Sequence, residues 1–300
     1  MKRTQFIVAG RHPLLLLVRD HFIKSGFEFT SIDSLDSSKP AFILFGAEVY
    51  NALDYAKVYN DLSVHKFNLP ALIMSSSSVY SDRDHGLNLR DVLPMDEAHG
   101  SVITSPLDPG AIRPLVALLS EHMFIHRAGK TIIARPFNIY GPNVKHGVVN
   151  KFVKNCLEGK PLTVHSPGRQ IRTFLYEDDF LKAIDGLVYK LLKGGRGIYN
   201  IGSDERVEIL SLAKSIGHAF QTATNIELTE SEDRHVWWKL PALERIKADA
   251  KFKPTTSLRS GLFRLASALG SNLGSILGSS RALLPNAEIM QIQELANDPP

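Results

Sequence analysis

One cysteine in 300 residues, Cys156, excludes an intramolecular disulfide and any zinc site built on cysteines. So thiol-poor a chain fits a reducing compartment. Nowhere do apolar residues run on for the roughly 20 positions that a bilayer-spanning helix requires. The short apolar run at 14–18 is preceded by Arg11 and His12 and lacks a clean small-residue cleavage site, so it reads as no signal peptide. The expectation is a cytoplasmic protein with no membrane span. Charge of one sign is also scarce: 35 Lys and Arg against 31 Asp and Glu leave a net charge of +4, with no basic block. That excludes the electrostatic footprint of a nucleic-acid binder. Neither a Gly-x-Ser-x-Gly elbow nor a phosphate loop ending in Gly-Lys-Ser/Thr is present. His122 and His126 stand four apart, but no glutamate follows His122, so no metal site is expected.

What is there is an ordinary globular balance, 44% hydrophobic and 22% charged residues, on a length suited to one large or two modest domains. Short apolar strands are expected at 6–9, 27–32, 41–45, 71–74 and 131–134. Helices are expected between them at 13–23, 48–64 and 112–126. Strands alternating with helices of ten or more residues imply βαβ units and a parallel sheet covered on both faces. Further on, helices are expected at 147–158, 178–192 and 207–220, with short strands near 162–164, 198–201 and 225–228. Val207, Leu210, Leu212, Ala213, Ile216 and Phe220 form one apolar helical face, which is core. After about residue 260 the chain turns rich in Gly, Ser and Leu and reads as a loosely ordered or peripherally packed tail. Trp237 and Trp238 are adjacent, so at least one of them is core or an interface contact.

Several stretches, taken in order, resemble the extended short-chain dehydrogenase/reductase family, the NAD-dependent nucleotide-sugar epimerases and dehydratases. Residues 74–80 read Met-Ser-Ser-Ser-Ser-Val-Tyr, and residues 134–142 read Ala-Arg-Pro-Phe-Asn-Ile-Tyr-Gly-Pro. Residues 159–165 (Gly-Lys-Pro-Leu-Thr-Val-His), 172–179 (Arg-Thr-Phe-Leu-Tyr-Glu-Asp-Asp) and 199–203 (Tyr-Asn-Ile-Gly-Ser) continue the pattern, with Arg234 and residues 253–258 closing it. The resemblance implies a shortened Rossmann-like, doubly wound parallel sheet over 1–142, to which 166–185 and 198–203 return. It also implies a smaller α/β substrate-binding domain over 143–262, followed by the tail at 263–300. It implies a nucleoside-diphosphate sugar as ligand and NAD or NADP as cofactor. Asn138, Arg172 and Arg234 would face the diphosphate, where guanidinium forks serve better than lysine. Leu162 and Val164 would lie along the base, and Phe174 near the nucleoside. Against this stand plainer roles: Asn138 capping a loop, and the arginines paired with Glu177 or Asp233. Glu177, Asp178 and Asp179, just before a helix, suit its N-terminal dipole better than catalysis.

The amino-terminal half departs from the family. Dinucleotide binding wants glycines that let the backbone approach a diphosphate at a helix N-terminus. Here the loop is Ala9-Gly10-Arg11-His12-Pro13-Leu14-Leu15, so one glycine remains and the loop is about two residues short. Gly10, Arg11 and Asp33 are the candidate cofactor residues. Arg11 could supply charge or block the pocket; Asp33, 23 residues after Gly10, could bind a ribose diol or simply form a turn. The family's acid/base tyrosine, with a lysine four residues later to lower its pKa, should fall near 108–114. No tyrosine lies between Tyr80 and Tyr140, and no lysine between Lys66 and Lys130. Ser76 is the remnant of the catalytic serine, and Arg113 a replacement for the lysine. Three readings follow. The first is a nucleotide-sugar binder with impaired or absent redox catalysis, in polysaccharide or nucleotide-sugar metabolism. The second is an active NAD(P)-dependent epimerase or reductase in which a water or Tyr80 moves the proton. The third is a non-enzymatic partner, as a homodimer or in a hetero-oligomer with an active relative.

Overall fold

A computed structural model describes residues 3–10, 12–46, 68–80, 94–98, 112–126, 129–220, 224–230 and 238–276. The expected helix at 48–64, along with Arg11, Arg234 and Trp237, lies outside them.

Six parallel strands form the central sheet: β1 (Gln5–Gly10), β2 (Glu28–Phe29), β3 (Ala41–Gly46), β4 (Ala71–Met74), β5 (Thr131–Pro136) and β10 (Gly197–Ile201). Their order is β10-β5-β4-β3-β1-β2, so successive strands leave β1 in opposite directions. Alternation along the strands explains the two covered faces. Phe42, Leu44, Leu72 and Met74 point into one cluster with α1 (Leu15–Lys24) and α4 (Glu177–Leu192). Ile43, Phe45, Ala71 and Ile73 point into another with α2 (Ile112–Ile125). The inner strands β3 and β4 are apolar on both sides because each side meets a helix. The second strand is shorter than the expected 27–32: only Glu28 and Phe29 pair, with Gln5 and Phe6, and the chain then turns through a 3-10 segment at Ile32–Ser34. Asp33 therefore sits exposed in that turn rather than at a strand end. Among the described residues no strand continues the sheet outside β2, and Lys39 folds back to Glu28 at 2.7 Å across this edge.

The later elements are α3 (Val148–Leu157), β7 (Leu162–His165), β8 (Ile171–Arg172), β11 (Val207–Glu208), α5 (Ile209–Ala219), β12 (Ile226–Thr229), β13 (Trp238–Lys239), α6 (Glu244–Ala250) and α7 (Leu258–Ile276). One further pair, β6 (Ile139–Tyr140) with β9 (Leu175–Tyr176), joins the sheet layer to this region. A separate core gathers Phe152, Cys156, Leu162, Val164, Phe174, Leu212, Ala213, Ile216, Leu262 and Leu265. Val207, expected on the helical face, lies instead on β11, because its pairing with Arg172 delays the helix by two residues. The region after 260 begins as helix, with Leu262 and Leu265 almost fully buried, so up to there it is packed rather than loose. Among the described residues no helix is long and apolar enough to cross a membrane.

Asp179, fully buried in the first turn of α4, fastens the start of α7. It accepts from Thr255 N (2.9 Å), Thr255 Oγ1 (2.7 Å), Thr256 N (2.7 Å) and Lys182 Nζ (3.0 Å). Burial alone would raise its pKa, but these donors outweigh it and hold the carboxyl at about 2 instead of 3.8. The stabilisation is complete above the unfolded value and is lost as pH falls through the folded one, so it disappears between about pH 4 and pH 2. Asp179→Asn turns an amide donor toward these donors, and we expect urea unfolding at neutral pH to register a loss of roughly 2 kcal/mol or more. The difference from the unmodified protein should shrink toward pH 2.

Candidate active-site region

The carboxyl ends of β1, β3, β4 and β5 converge on one rim of the sheet. Gly10 ends β1 with φ +92°, and a Cβ there would stand 2.0 Å from the Gly46 carbonyl oxygen, so only glycine fits. Gly46, its in-register partner, is equally constrained: a Cβ would stand 2.5 Å from that of His12. His12 is buried between them and the end of β4. Its N–H donates to Gly46 O (3.1 Å), its carbonyl accepts from Leu15 N (2.9 Å), and its Nδ1 accepts from Leu14 N (3.2 Å). Burial lowers its pKa to about 4, helped by the charge of His146 and opposed by a hydrogen bond to the Ser75 backbone. The ring is thus neutral over most of the pH range.

At the end of β4 the serines divide their labour. Ser75 is buried and its hydroxyl donates to Glu121 Oε1 at 2.5 Å. Ser76, half-buried, caps the 3-10 turn Ser77–Val79 by accepting from Ser78 N at 3.1 Å. Ser78 Oγ is buried with no hydrogen-bond partner. Beneath them lies a charged network that sequence reading did not single out. Arg135 on β5 forms a two-pronged pair with Glu121 on α2, Nε to Oε1 at 2.8 Å and Nη2 to Oε2 at 2.6 Å. Its Nη1 donates to Tyr80 OH (2.9 Å) and Glu97 O (3.1 Å). Tyr80 OH donates to Asn200 Oδ1 at 2.5 Å. Asn200 completes the set: its N–H donates to Glu97 Oε1 (2.9 Å) and its Nδ2 to Met95 O (2.7 Å). Burial raises the Tyr80 pKa even though Arg135 pulls it down. The signal for this network was Arg135 inside the Arg-x-x-Asn motif, together with the only glutamate of α2.

The candidate lysine replacement, Arg113, is the second residue of α2, one turn before Ala117; its side chain is not among those described. Ala117 is buried in a cluster with Val79, Tyr80 and Phe137. His122 and His126 face each other at 4.7 Å between ring centroids on the exposed side of α2, and no group of three His, Cys, Asp or Glu side chains gathers among the described residues.

Of the expected diphosphate residues, Asn138 is half-buried at φ +40°, a left-handed conformation that asparagine tolerates. Its Nδ2 donates to Thr173 O at 2.9 Å. Arg172 is half-buried on β8, where Nη1 donates to Ile171 O at 2.8 Å and the backbone pairs with Val207 and Lys239. Leu162, Val164 and Phe174 turn their side chains into the carboxy-terminal core, each at most 2% exposed, and β7 pairs with β12 along Leu162–His165, with Leu162 N donating to Asn225 O at 2.8 Å. Thr173 Oγ1, next to Arg172, is buried without a hydrogen-bond partner among the described residues. Glu177 and Asp179 are in the first helical turn as expected, but as clamps on other loops rather than caps. Glu177 accepts from Asn143 N (2.9 Å) and Nδ2 (2.6 Å), leaving no room for a side chain at Gly141.

UDP-glucuronic acid decarboxylase 3 of Arabidopsis thaliana is 32% identical over 133 residues, 43% of this chain and 38% of that protein. The uncharacterized UDP-glucose epimerase YtcB of Bacillus subtilis is 28% identical over 193 residues, 63% of this chain and 56% of that one. The chain thus matches well under two thirds of either relative's length. Among solved structures, a Thermotoga maritima UDP-glucose 4-epimerase with UDP-glucose superposes with TM-score 0.67 at 16% identity, covering 90% of this chain and 99% of that one. MoeE5 in complex with UDP-glucose and NAD gives the same values. These two share the fold. Residues 51–202 match the NAD dependent epimerase/dehydratase family, and the chain belongs to it.

Proposed function

We propose that this chain is a nucleotide-sugar-binding member of its family in which the usual nicotinamide-dependent redox step is impaired or absent, working in polysaccharide or nucleotide-sugar metabolism. The observation that carries the reading is the make-up of α2. From Ile112 to Ile125 it contains neither tyrosine nor lysine, and toward the cluster at the end of β4 it presents Ala117. Redox exchange at a sugar hydroxyl needs a group that gives and takes a proton within hydrogen-bond reach, tuned near working pH. Arg113 supplies charge at most, since a guanidinium does not release its proton in a protein. Tyr80 is a poor substitute: it is 1% exposed, its hydroxyl is held by both Arg135 and Asn200, and burial moves its pKa away from neutrality.

The described residues of the β1 rim do not fit the diphosphate of NAD or NADP. One glycine remains where the approach requires several, and the Leu14 and Leu15 N–H groups are engaged by His12. The carboxy-terminal region keeps what a sugar diphosphate asks for. Arg172 and Arg234 bring fixed charge, Asn138 a directional amide, and β7, from Leu162 through Val164, an edge opposite β12 along which a base can lie. The buried, unpartnered Thr173 Oγ1 beside Arg172 favours a polar ligand there. UDP-glucose and UDP-glucuronic acid are the natural probes, because the similar proteins carry these nucleotides in their names.

Calorimetry with UDP-glucose and UDP-glucuronic acid is expected to give saturable binding that Arg172→Ala weakens by about tenfold, a loss of roughly 1.4 kcal/mol. No heat with either nucleotide, while an active relative binds under the same conditions, would remove the proposal. With NAD added, turnover of UDP-glucuronic acid is expected to lie at least roughly 10²-fold below that of an active relative, the smallest loss a missing acid/base produces. Product formation at a relative's rate, followed by mass spectrometry, would favour an active enzyme with a non-standard proton carrier.

A further inference from the structure

The structure points to His12 as a built-in plug: its imidazole fills the crevice at the end of β1 and keeps a dinucleotide out. This inference is independent of the nucleotide-sugar reading. In an open parallel sheet, ligands bind outside the carboxyl ends of the strands where the strand order reverses. Here that point lies between β1 and β3, since β2 sits on one side of β1 and β3 on the other. His12 is lodged there, 8% exposed, above the in-register pair Gly10 and Gly46 and against the end of β4.

Three features make it a fitted plug rather than a side chain that happens to lie nearby. The first is the socket. Gly46 has no Cβ, and one placed there would meet His12 Cβ at 2.5 Å and Cγ at 3.2 Å. The second is what the ring and its backbone hold. The start of α1 should offer free N–H groups to an anion. Instead, Leu14 N is bound to His12 Nδ1, Leu15 N to His12 O, and Pro13 has no N–H to give. The third is charge. Burial keeps the imidazole neutral until about pH 4, with exposed His146 the charged group that bears on it and the Ser75 backbone the acceptor that opposes the shift. A neutral ring on the helix start takes up Leu14 N, one of the donors a diphosphate would use, and returns no cation to attract it. The residue thereby does part of a cofactor's structural work, joining α1 to the ends of β3 and β4.

The test is titration of the full chain with NADH, followed by its fluorescence, on the unmodified protein and on His12→Gly. Unmodified protein is expected to show no saturable binding at millimolar NADH, and His12→Gly to gain at least about tenfold in affinity. His12→Asn, which keeps a smaller acceptor for Leu14 N, serves if the glycine variant unfolds, and it should gain in the same direction. UDP-glucose titrated in parallel should respond identically in all forms, so a failure of the nucleotide-sugar reading is seen separately. NMR of the imidazole should find His12 titrating near pH 4, and Gly46→Ala should move that titration up toward 6.5 by expelling the ring. The plug is overturned if the unmodified protein binds NADH as tightly as the folded variants. It is equally overturned if folded His12 variants gain nothing, or if His12 in the unmodified protein titrates near 6.5.

Discussion

A guanidinium taken almost entirely out of water is the constraint around which the rim of this sheet is organised. Arg135 and Glu121 are each 5% exposed, and two charges so placed are tolerable only when every donor and acceptor is answered. Glu121 takes two prongs and a serine hydroxyl; Arg135 spends its remaining donors on Tyr80 and a backbone carbonyl. The pair could be replaced by apolar residues without loss of burial, so its worth lies in geometry: a hydrophobic contact tolerates sliding, and a forked ion pair does not. It fixes α2 relative to β4 and β5, and through Tyr80 and Asn200 it fixes β10 and the segment around Met95. The position of Ser76 follows from that frame.

Sequence patterning made the sheet legible because the physics is local and repeated. Apolar runs such as 71–74 and 131–134 are buried on both faces, and nothing but a covered parallel strand suits them. The helices at 148–157 and 177–192 show their buried faces at helical spacing. Where the expectation missed, pairing decided against propensity. The strand from Phe27 could extend further, but at the sheet edge it finds partners for only two residues. Val207 suits the helical face, yet a strand opposite claims it.

The site was legible in identity and less so in arrangement. Arg135, Asn138 and Tyr80 stand in a recognisable order, but the sequence does not say that Tyr80 and Asn200, 120 positions apart, share a hydrogen bond. That the side chains of Phe174, Leu162 and Val164 belong to the core is not written in the local sequence, because the residues that cover them, such as Leu212, Ala213 and Leu262, come from helices far along the chain. His12 was noted only as an interruption of an apolar run. Its meaning depends on Gly46, 34 positions later, which no local pattern connects to it.

The grip of Asp179 on Thr255 and Thr256 bears on how the chain can be divided. Asp179 belongs to α4, whose apolar side lies in the sheet's core, whereas the two threonines lead into α7, which packs in the other core. The polypeptide crosses between these cores more than once and is stitched where it crosses. A contiguous fragment cut at any one junction would carry away strands or helices that the remainder needs, so gene fusions and half-length expression products should inherit the fold whole or not at all.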